Sequence, residues 1–163
     1  MTGPSRLDRL LAGRPPEIAD AIAASRLVFR VGHLLEAKVD AALAPFGISM
    51  REYLALVLIN DDAVEPLRPS DLGTTLDASR VQVTRLLDGL EGKGLAQRSP
   101  AKADRRALQL ALTAVGGRLL KKAAPVVHAA YLEGWSSVGT EATRAALAIL
   151  RPVHAALLGQ DPA

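Results

Sequence analysis

The sequence predicts a mainly α-helical fold: a winged helix-turn-helix with a two-stranded β-hairpin wing, flanked by long N- and C-terminal dimerisation helices. Three observations lead there. A short helix, a tight turn and a capped second helix follow one another between Pro69 and Gly94. Two short apolar runs then bracket the basic loop "SPAKADRR", and the second of them alternates strictly, Leu108, Leu110 and Leu112 against Ala107, Gln109 and Ala111, as a half-buried strand does. Helical-period apolar patterns run on both sides of this centre.

Taken in order, residues 1–16 form an N-terminal arm, flexible or partly helical, that ends in Arg14-Pro15-Pro16. A long helix follows from Glu17 to about Ala44, with Ile18, Ile22, Leu27, Val31, Leu34, Leu35 and Val39 recurring near every 3.6 residues. "PFGIS" breaks it, and "MREYLALVLIN" is the second helix. After the loop "DDAVEPLRP", Pro69 suits the first position of a short helix, "PSDLGTTL", since the missing amide would have been unpaired there anyway. Asp77-Ala78 makes the turn. Ser79 caps "RVQVTRLLDGLEGK", and Gly94 supplies the left-handed residue that ends it. "LAQRS" and "ALQLAL" are the hairpin strands. Thr113 caps the next long helix, with a kink expected at Pro125. A last helix begins near Thr140, and Pro152 is expected to disturb it. The resulting organisation is an arm (1–16) and a single domain (17–163). Within the domain, 17–48 and 114–163 are dimerisation helices and 49–113 the DNA-binding lobe. The long terminal helices carry more apolar surface than the centre can cover, which points to a second copy of the chain.

Composition narrows the function. At 163 residues the chain suits one domain with a core of its own, and with 49% hydrophobic but 3% aromatic residues that core is Leu, Ala and Val. The absence of cysteine excludes disulfides, thiolate metal sites, a cysteine nucleophile and thiol-based sensing. Three histidines, His33, His128 and His154, lie scattered without metal-ligand spacing, and no glycine-rich loop follows a strand, so neither enzyme, metal nor cofactor is expected. No stretch approaches membrane-spanning length and the first residues have no apolar run suited to a secretion signal; the expectation is a cytoplasmic protein with no membrane partner. The net charge of +3 is a modest excess, so its distribution carries the argument.

That distribution points to double-stranded DNA. Val83, Leu86, Leu87 and Leu90 form the inward stripe of the second reading-motif helix, leaving Arg80, Val81, Gln82, Thr84 and Arg85 on its first turns, the end that enters a major groove in helix-turn-helix proteins. Gln82 offers the paired donor and acceptor that match adenine, and Arg80 or Arg85 can fork onto guanine. Val81 can rest against a thymine methyl, and Thr84 can bond a phosphate or a base. A loop crowded with Lys102, Arg105 and Arg106 repels itself unless it meets solvent or an anion, and beside a duplex the phosphates neutralise it; one arginine can enter the minor groove, with Asp104 bracing a neighbour. With Ser79 at the helix start and Arg98 on the first strand, the candidate DNA-binding set is Ser79, Arg80, Val81, Gln82, Thr84, Arg85, Arg98, Lys102, Asp104, Arg105 and Arg106. A solvated loop and an ordinary exposed helix face remain the alternatives for these residues taken singly.

The same segments resemble the MarR family of bacterial transcription regulators, from about Leu34 to Pro152. The resemblance is carried by "FGIS..EY..L" at 46–56, by "SDLG..L", by "VTRLLDGLEGKGLAQR" at 83–98 and by "DRRALQLALTAVG" at 104–116, which holds an Asp-x-Arg wing signature. The resemblance implies a two-fold dimer with interlocked terminal helices on a pseudo-palindromic operator, and Arg106 at the minor groove braced by Asp104. It also implies repression relieved by a small effector, often an aromatic acid or phenol. Gly89 stands where many relatives carry a basic residue. The rival readings are a DNA binder or activator without ligand control and a protein-binding winged helix, though a basic wing speaks against the latter.

For the effector, Arg26, Arg30 and His33 fall on one face of the first helix at i, i+4 and i+7 and can grip a carboxylate or phenolate, with Met50 and Tyr53 as an apolar wall. The competing reading is that Glu36 and Asp40 continue that stripe and make it an ion-paired, solvated surface. His128, Tyr131 and Trp135 share a face of the fifth helix and read as packing.

Overall fold

A computed structural model describes residues 11–61, 67–100 and 108–159. Helix α1 spans Pro16–Leu43, and proline at its first position matches the break after Pro15. A single 3-10 turn, Ala44–Phe46, ends at Gly47, whose φ of 67° is left-handed. Helix α2, Met50–Asn60, opens on a reciprocal cap. The Ser49 hydroxyl accepts from the Glu52 amide at 3.2 Å, and the Ser49 amide donates to the Glu52 carboxylate at 2.9 Å.

Helix α3, Pro69–Thr75, begins on the expected proline. The turn after it is tight enough to force Asp77 to a positive φ of 47°. Ser79 then caps α4, Arg80–Gly92, and Gly94 at φ 67° closes it. Strands β1, Ala96–Pro100, and β2, Leu108–Leu112, pair antiparallel with Arg98 opposite Leu110 and Pro100 opposite Leu108. Of the three alternating leucines, Leu110 is 5% exposed but Leu108 45%. The alternation is real, yet the hairpin runs off the core toward its tip and only its inner part is covered.

Thr113 caps α5, Ala114–Trp135, by accepting from the Gly116 amide at 2.9 Å. Gly116 lies hard against the strand: a Cβ there would meet the Leu95 carbonyl oxygen at 1.9 Å. Helix α6 spans Gly139–Leu157 and runs through Pro152, as α5 runs through Pro125. Each proline removes the donor for the carbonyl four residues back. Those partners, Ala148 and Lys121, are exposed, as are both prolines, so water can satisfy the freed carbonyls and the helices continue.

By its contacts the chain divides into two units, Met1–Ala37 and Lys38–Ala163, with the boundary inside α1. In the first, the helix exposes Leu27, Val28, Phe29 and Leu34. The second holds the core: Val39, Leu43, Leu56, Leu72, Leu87, Leu90 and Val127 are fully buried, joining the end of α1 to α2, α3, α4 and α5. Among the described residues no polar or charged residue is buried. No single helix among them is long and apolar enough to cross a membrane.

Candidate nucleic-acid interface

Helix α4 has two faces. Val83, Leu87 and Leu90 are buried, while Arg80, Val81, Gln82, Thr84 and Arg85 are exposed, Val81 to 60%. Among the described residues Arg80 and Arg85 take part in no ion pair, so their charge is available to an anion. Two of their neighbours are engaged locally. The Thr84 hydroxyl donates to the Arg80 carbonyl at 2.9 Å. Gln82 completes the helix cap: its Oε1 accepts from the Ser79 backbone amide at 2.8 Å while its backbone amide donates to the Ser79 hydroxyl at 3.3 Å. One lone pair of the Gln82 oxygen is therefore committed to the cap, which turns the side chain back toward the helix start; a paired contact with adenine would have to share or break that bond.

The outer half of α4 carries charges of the other sign, and these are paired. Arg98 on β1 reaches back across the turn, donating its backbone amide to Glu91 Oε1 at 2.7 Å and its Nε to Glu91 Oε2 at 2.9 Å. Its terminal nitrogen bonds both Glu91 and Asp88. The Arg98 hydrogen bonds hold the Glu91 carboxyl below its ordinary range, against the opposing effects of burial and of Asp88. The same bonds, to Glu91 first and Asp88 second, raise Arg98 further. One turn on, Lys93 donates to both Glu52 oxygens, at 2.7 and 2.9 Å, and to the Gly47 carbonyl at 2.8 Å. Burial disfavours ionised Glu52, but Lys93 and the Ser49 amide outweigh it, and the carboxyl lies below its usual value.

Lys102, Asp104, Arg105 and Arg106 fall within 101–107, outside the described residues. The hairpin strands lead into that loop at Pro100 and out of it at Leu108, one strand-pair apart.

The candidate effector residues fall in both units, Arg26, Arg30 and His33 in the first and Met50 and Tyr53 in the second. Arg26, Arg30 and His33 are exposed, and among the described residues the two arginines make no ion pair. The competing reading pairs them with Glu36 and Asp40; among the described residues neither carboxylate takes part in an ion pair, and Asp40 accepts from the Met50 amide. Met50 is half-buried and Tyr53 is 5% exposed. Burial, then the neighbouring Tyr131, pushes the Tyr53 hydroxyl up, and burial does the same to Tyr131, whose hydroxyl lies 4.0 Å from the Met50 sulfur. The sequence reading missed Tyr131 as a companion of Met50 and Tyr53, and it missed the Lys93 and Arg98 pairings. A Ser-x-x-Glu spacing at 49–52 could have revealed the first cap. Nothing local reveals a pair 41 residues apart.

Comparison with known proteins places this geometry. The family model described as MarR family matches residues 48–108, from just before α2 to the first residue of β2. The HTH-type transcriptional repressor Rv2887 of Mycobacterium tuberculosis (strain ATCC 25618 / H37Rv) is 31% identical over 113 residues, covering 69% of this chain and 80% of that protein. The chain belongs to the MarR family. Another MarR-like relative by sequence, the transcriptional repressor MprA of Escherichia coli (strain K12), is 33% identical over 94 residues, 58% of this chain and 53% of that protein, so the chain spans about half that relative's length. A solved structure, CouR from Rhodococcus jostii RHA1 bound to p-coumaroyl-CoA, aligns with a TM-score of 0.69 at 30% identity, over 78% of this chain and 88% of that one. The fold is that of the winged helix-turn-helix, and the relatives Rv2887 and MprA are transcriptional repressors.

Proposed function

We propose that the protein is a homodimeric, cytoplasmic repressor that binds a pseudo-palindromic operator and is released by a small aromatic or phenolic ligand. The observation that carries the reading is the outward face of α4, where Arg80 and Arg85 stand exposed and unpaired among the described residues, next in sequence to a hairpin with a basic loop. On this reading Ser79, Arg80, Val81, Gln82, Thr84 and Arg85 meet the major groove, and Lys102, Asp104, Arg105 and Arg106 meet the backbone and minor groove.

Dimerisation is supported by apolar surface left open. Helix α6 exposes Leu147, Leu150, Val153 and Leu157 at near-helical spacing, and α1 exposes Leu27, Phe29 and Leu34. Exposed apolar side chains gathered on one element mark an interaction surface when they form a contiguous patch. The division into arm (1–16), dimerisation helices (17–48 and 114–163) and DNA-binding lobe (49–113) belongs to the same proposal. Effector control is supported by the relatives: CouR is solved with p-coumaroyl-CoA, and Rv2887 with salicylic acid. Met50, Tyr53, Arg26, Arg30 and His33 are the candidate contacts. A ligand that prefers a dimer whose two recognition helices are not about 34 Å apart lowers operator affinity by the ratio of its affinities for the two states.

The test is a titration of the purified chain against a duplex spanning the promoter upstream of its own gene, with random duplex as competitor, at several salt concentrations. Affinity is expected to fall steeply with salt because each phosphate contact releases counterions. Arg106→Ala is expected to lower it by at least about tenfold, the scale of one lost specific contact, while leaving the dimer intact. Equal affinity in the variant removes the wing from the interface, and a chain that stays monomeric at micromolar concentration overturns the dimer.

A further inference from the structure

We infer that Arg98 is a positioning residue: with Asp88 and Glu91 it clamps the first wing strand to the recognition helix and sets the angle between them. The inference rests on the DNA-binding reading and assigns a mechanism to one part of it.

The geometry separates a clamp from a phosphate contact. Glu91 uses both of its oxygens on Arg98, one for the backbone amide at 2.7 Å and one for Nε at 2.9 Å, so strand and side chain are held by the same carboxylate. Nη2 bonds Glu91 Oε2 as well and also reaches Asp88, one helical turn before Glu91 on α4. An arginine fork is directional in a way that apolar contact is not, so this arrangement fixes rotation of the strand about the helix as well as separation. Arg98 is also the last residue of β1 whose hydrogen bonds reach α4 among the described residues, two positions before the strand ends at Pro100.

Charge points the same way. One guanidinium faces two carboxylates, so the cluster as a whole is negative and repels phosphate. An arginine placed to hold DNA would not be surrounded in this manner, because its attraction would have to overcome its own partners. Asp88 and Glu91 lie on the helix that reads DNA, where uncompensated acids would weaken binding; Arg98 both neutralises them and uses them as a handle.

The decisive experiment has an opposite sign under the two accounts. Glu91→Gln removes a negative charge near the duplex and keeps the side chain's size. Electrostatics alone makes binding to the promoter duplex tighter. The clamp makes it weaker, by about tenfold, the scale of one lost charge-assisted hydrogen bond. Arg98→Gln is expected to weaken binding with the slope of log affinity against log salt unchanged, whereas losing a phosphate contact makes that slope shallower by about 0.9. Arg98→Lys separates them again: a phosphate contact tolerates a point charge, but a lysine cannot fork, so affinity stays low. Where Glu91→Gln lowers the unfolding midpoint, Asp88→Asn, which removes only the exposed outer arm, carries the same test. If the unaltered chain binds the duplex and Glu91→Gln binds as tightly or more tightly, or if the Arg98→Gln slope drops by one contact, the clamp is wrong and DNA binding stands. If the unaltered chain does not distinguish the duplex from random competitor, the DNA-binding reading fails and the clamp falls with it.

Discussion

Gly116→Ala is a one-carbon change whose effect can be worked out from the contact it would make. The added Cβ lies 1.9 Å from the Leu95 carbonyl oxygen and 2.9 Å from its carbon, both backbone atoms that cannot swing aside. Reaching an ordinary contact of 3.4 Å requires helix and strand to separate by roughly 1.5 Å, since 3.4 less 1.9 is 1.5. That carbonyl also accepts from the Thr113 amide at 3.1 Å and the Thr113 hydroxyl at 3.3 Å, and Thr113 caps α5 through Gly116 itself. The movement therefore strains a cap and a strand-to-helix bond together. Overpacking costs about 1–3 kcal/mol and a lost cap about 0.5–2 kcal/mol, against a helix-propensity gain of about 1 kcal/mol for alanine over glycine. A net loss of about 0.5–4 kcal/mol is expected, with the centre of that range near 2 kcal/mol.

The adjacent residue is the control. Gly117 has nothing within 4 Å of the Cβ position and sits in the same helical turn. Gly117→Ala should stabilise by about 0.5–1 kcal/mol. Urea unfolding at one fixed protein concentration, followed by circular dichroism, measures both, the fixed concentration being needed because a dimer's midpoint depends on it. If Gly116→Ala is as stable as Gly117→Ala with an unchanged urea slope, the close approach of α5 to Leu95 does not exist in solution.

Two other perturbations follow from local geometry. Asp77 holds a φ of 47° in the turn between α3 and α4, a conformation that aspartate and asparagine tolerate and β-branched residues do not. Asp77→Val should cost about 1–2 kcal/mol in urea unfolding while Asp77→Asn is neutral, and equal losses would show that side-chain contacts rather than backbone strain decide this position. Glu52 and Glu91 both lie below their ordinary values in the folded chain, so their contribution to stability is complete above about pH 4.3, the unfolded glutamate value, and is lost as pH falls through the lowered folded values. The urea midpoint should therefore drop on acidification through that window, and Glu52→Gln should flatten the drop. A steeper drop in the variant reverses the sign assigned to the Lys93 pairing.

What could be read from the sequence was what a single element dictates. Ser79, Gly94 and Thr113 announced the ends of α4 and the start of α5 because a cap needs only residues three or four apart, and the boundaries of α2 and α3 followed from a glycine break and a proline start. Features that depend on what lies opposite were not legible. Leucine alternation predicts a covered strand face but not how far the cover extends, and Leu108 lies beyond it. Pro152 was expected to disturb α6, yet the cost of a missing donor depends on whether water reaches the orphaned carbonyl, which is a tertiary fact. Gln82 shows a subtler failure. Its amide was assigned to a base from its chemistry, while the Ser-x-x-Gln spacing that commits its oxygen to the cap was present in the four residues Ser79 to Gln82.

The charges of α4 explain why a purely compositional reading blurs the site. Arg80, Arg85, Asp88, Glu91 and Lys93 look like one solvated polar surface when counted along the helix. In the folded chain they sort by position. Toward the N-terminus the arginines are unpaired among the described residues, and the only local constraints there are backbone bonds and the cap; toward the C-terminus every ionised group on this face is tied to another element, Asp88 and Glu91 to β1, Lys93 to α2 and Gly47. Burial of Val83, Leu87 and Leu90 decides which face of the helix meets the core, but apolar contact is non-directional and leaves the finer angle to its neighbours less determined. Exposed ion pairs add little to stability, about 0–1 kcal/mol each, which makes them poor glue. Their value here is angular: they hold one end of the reading helix in register with its neighbours and leave the other end's cations free for an anionic partner.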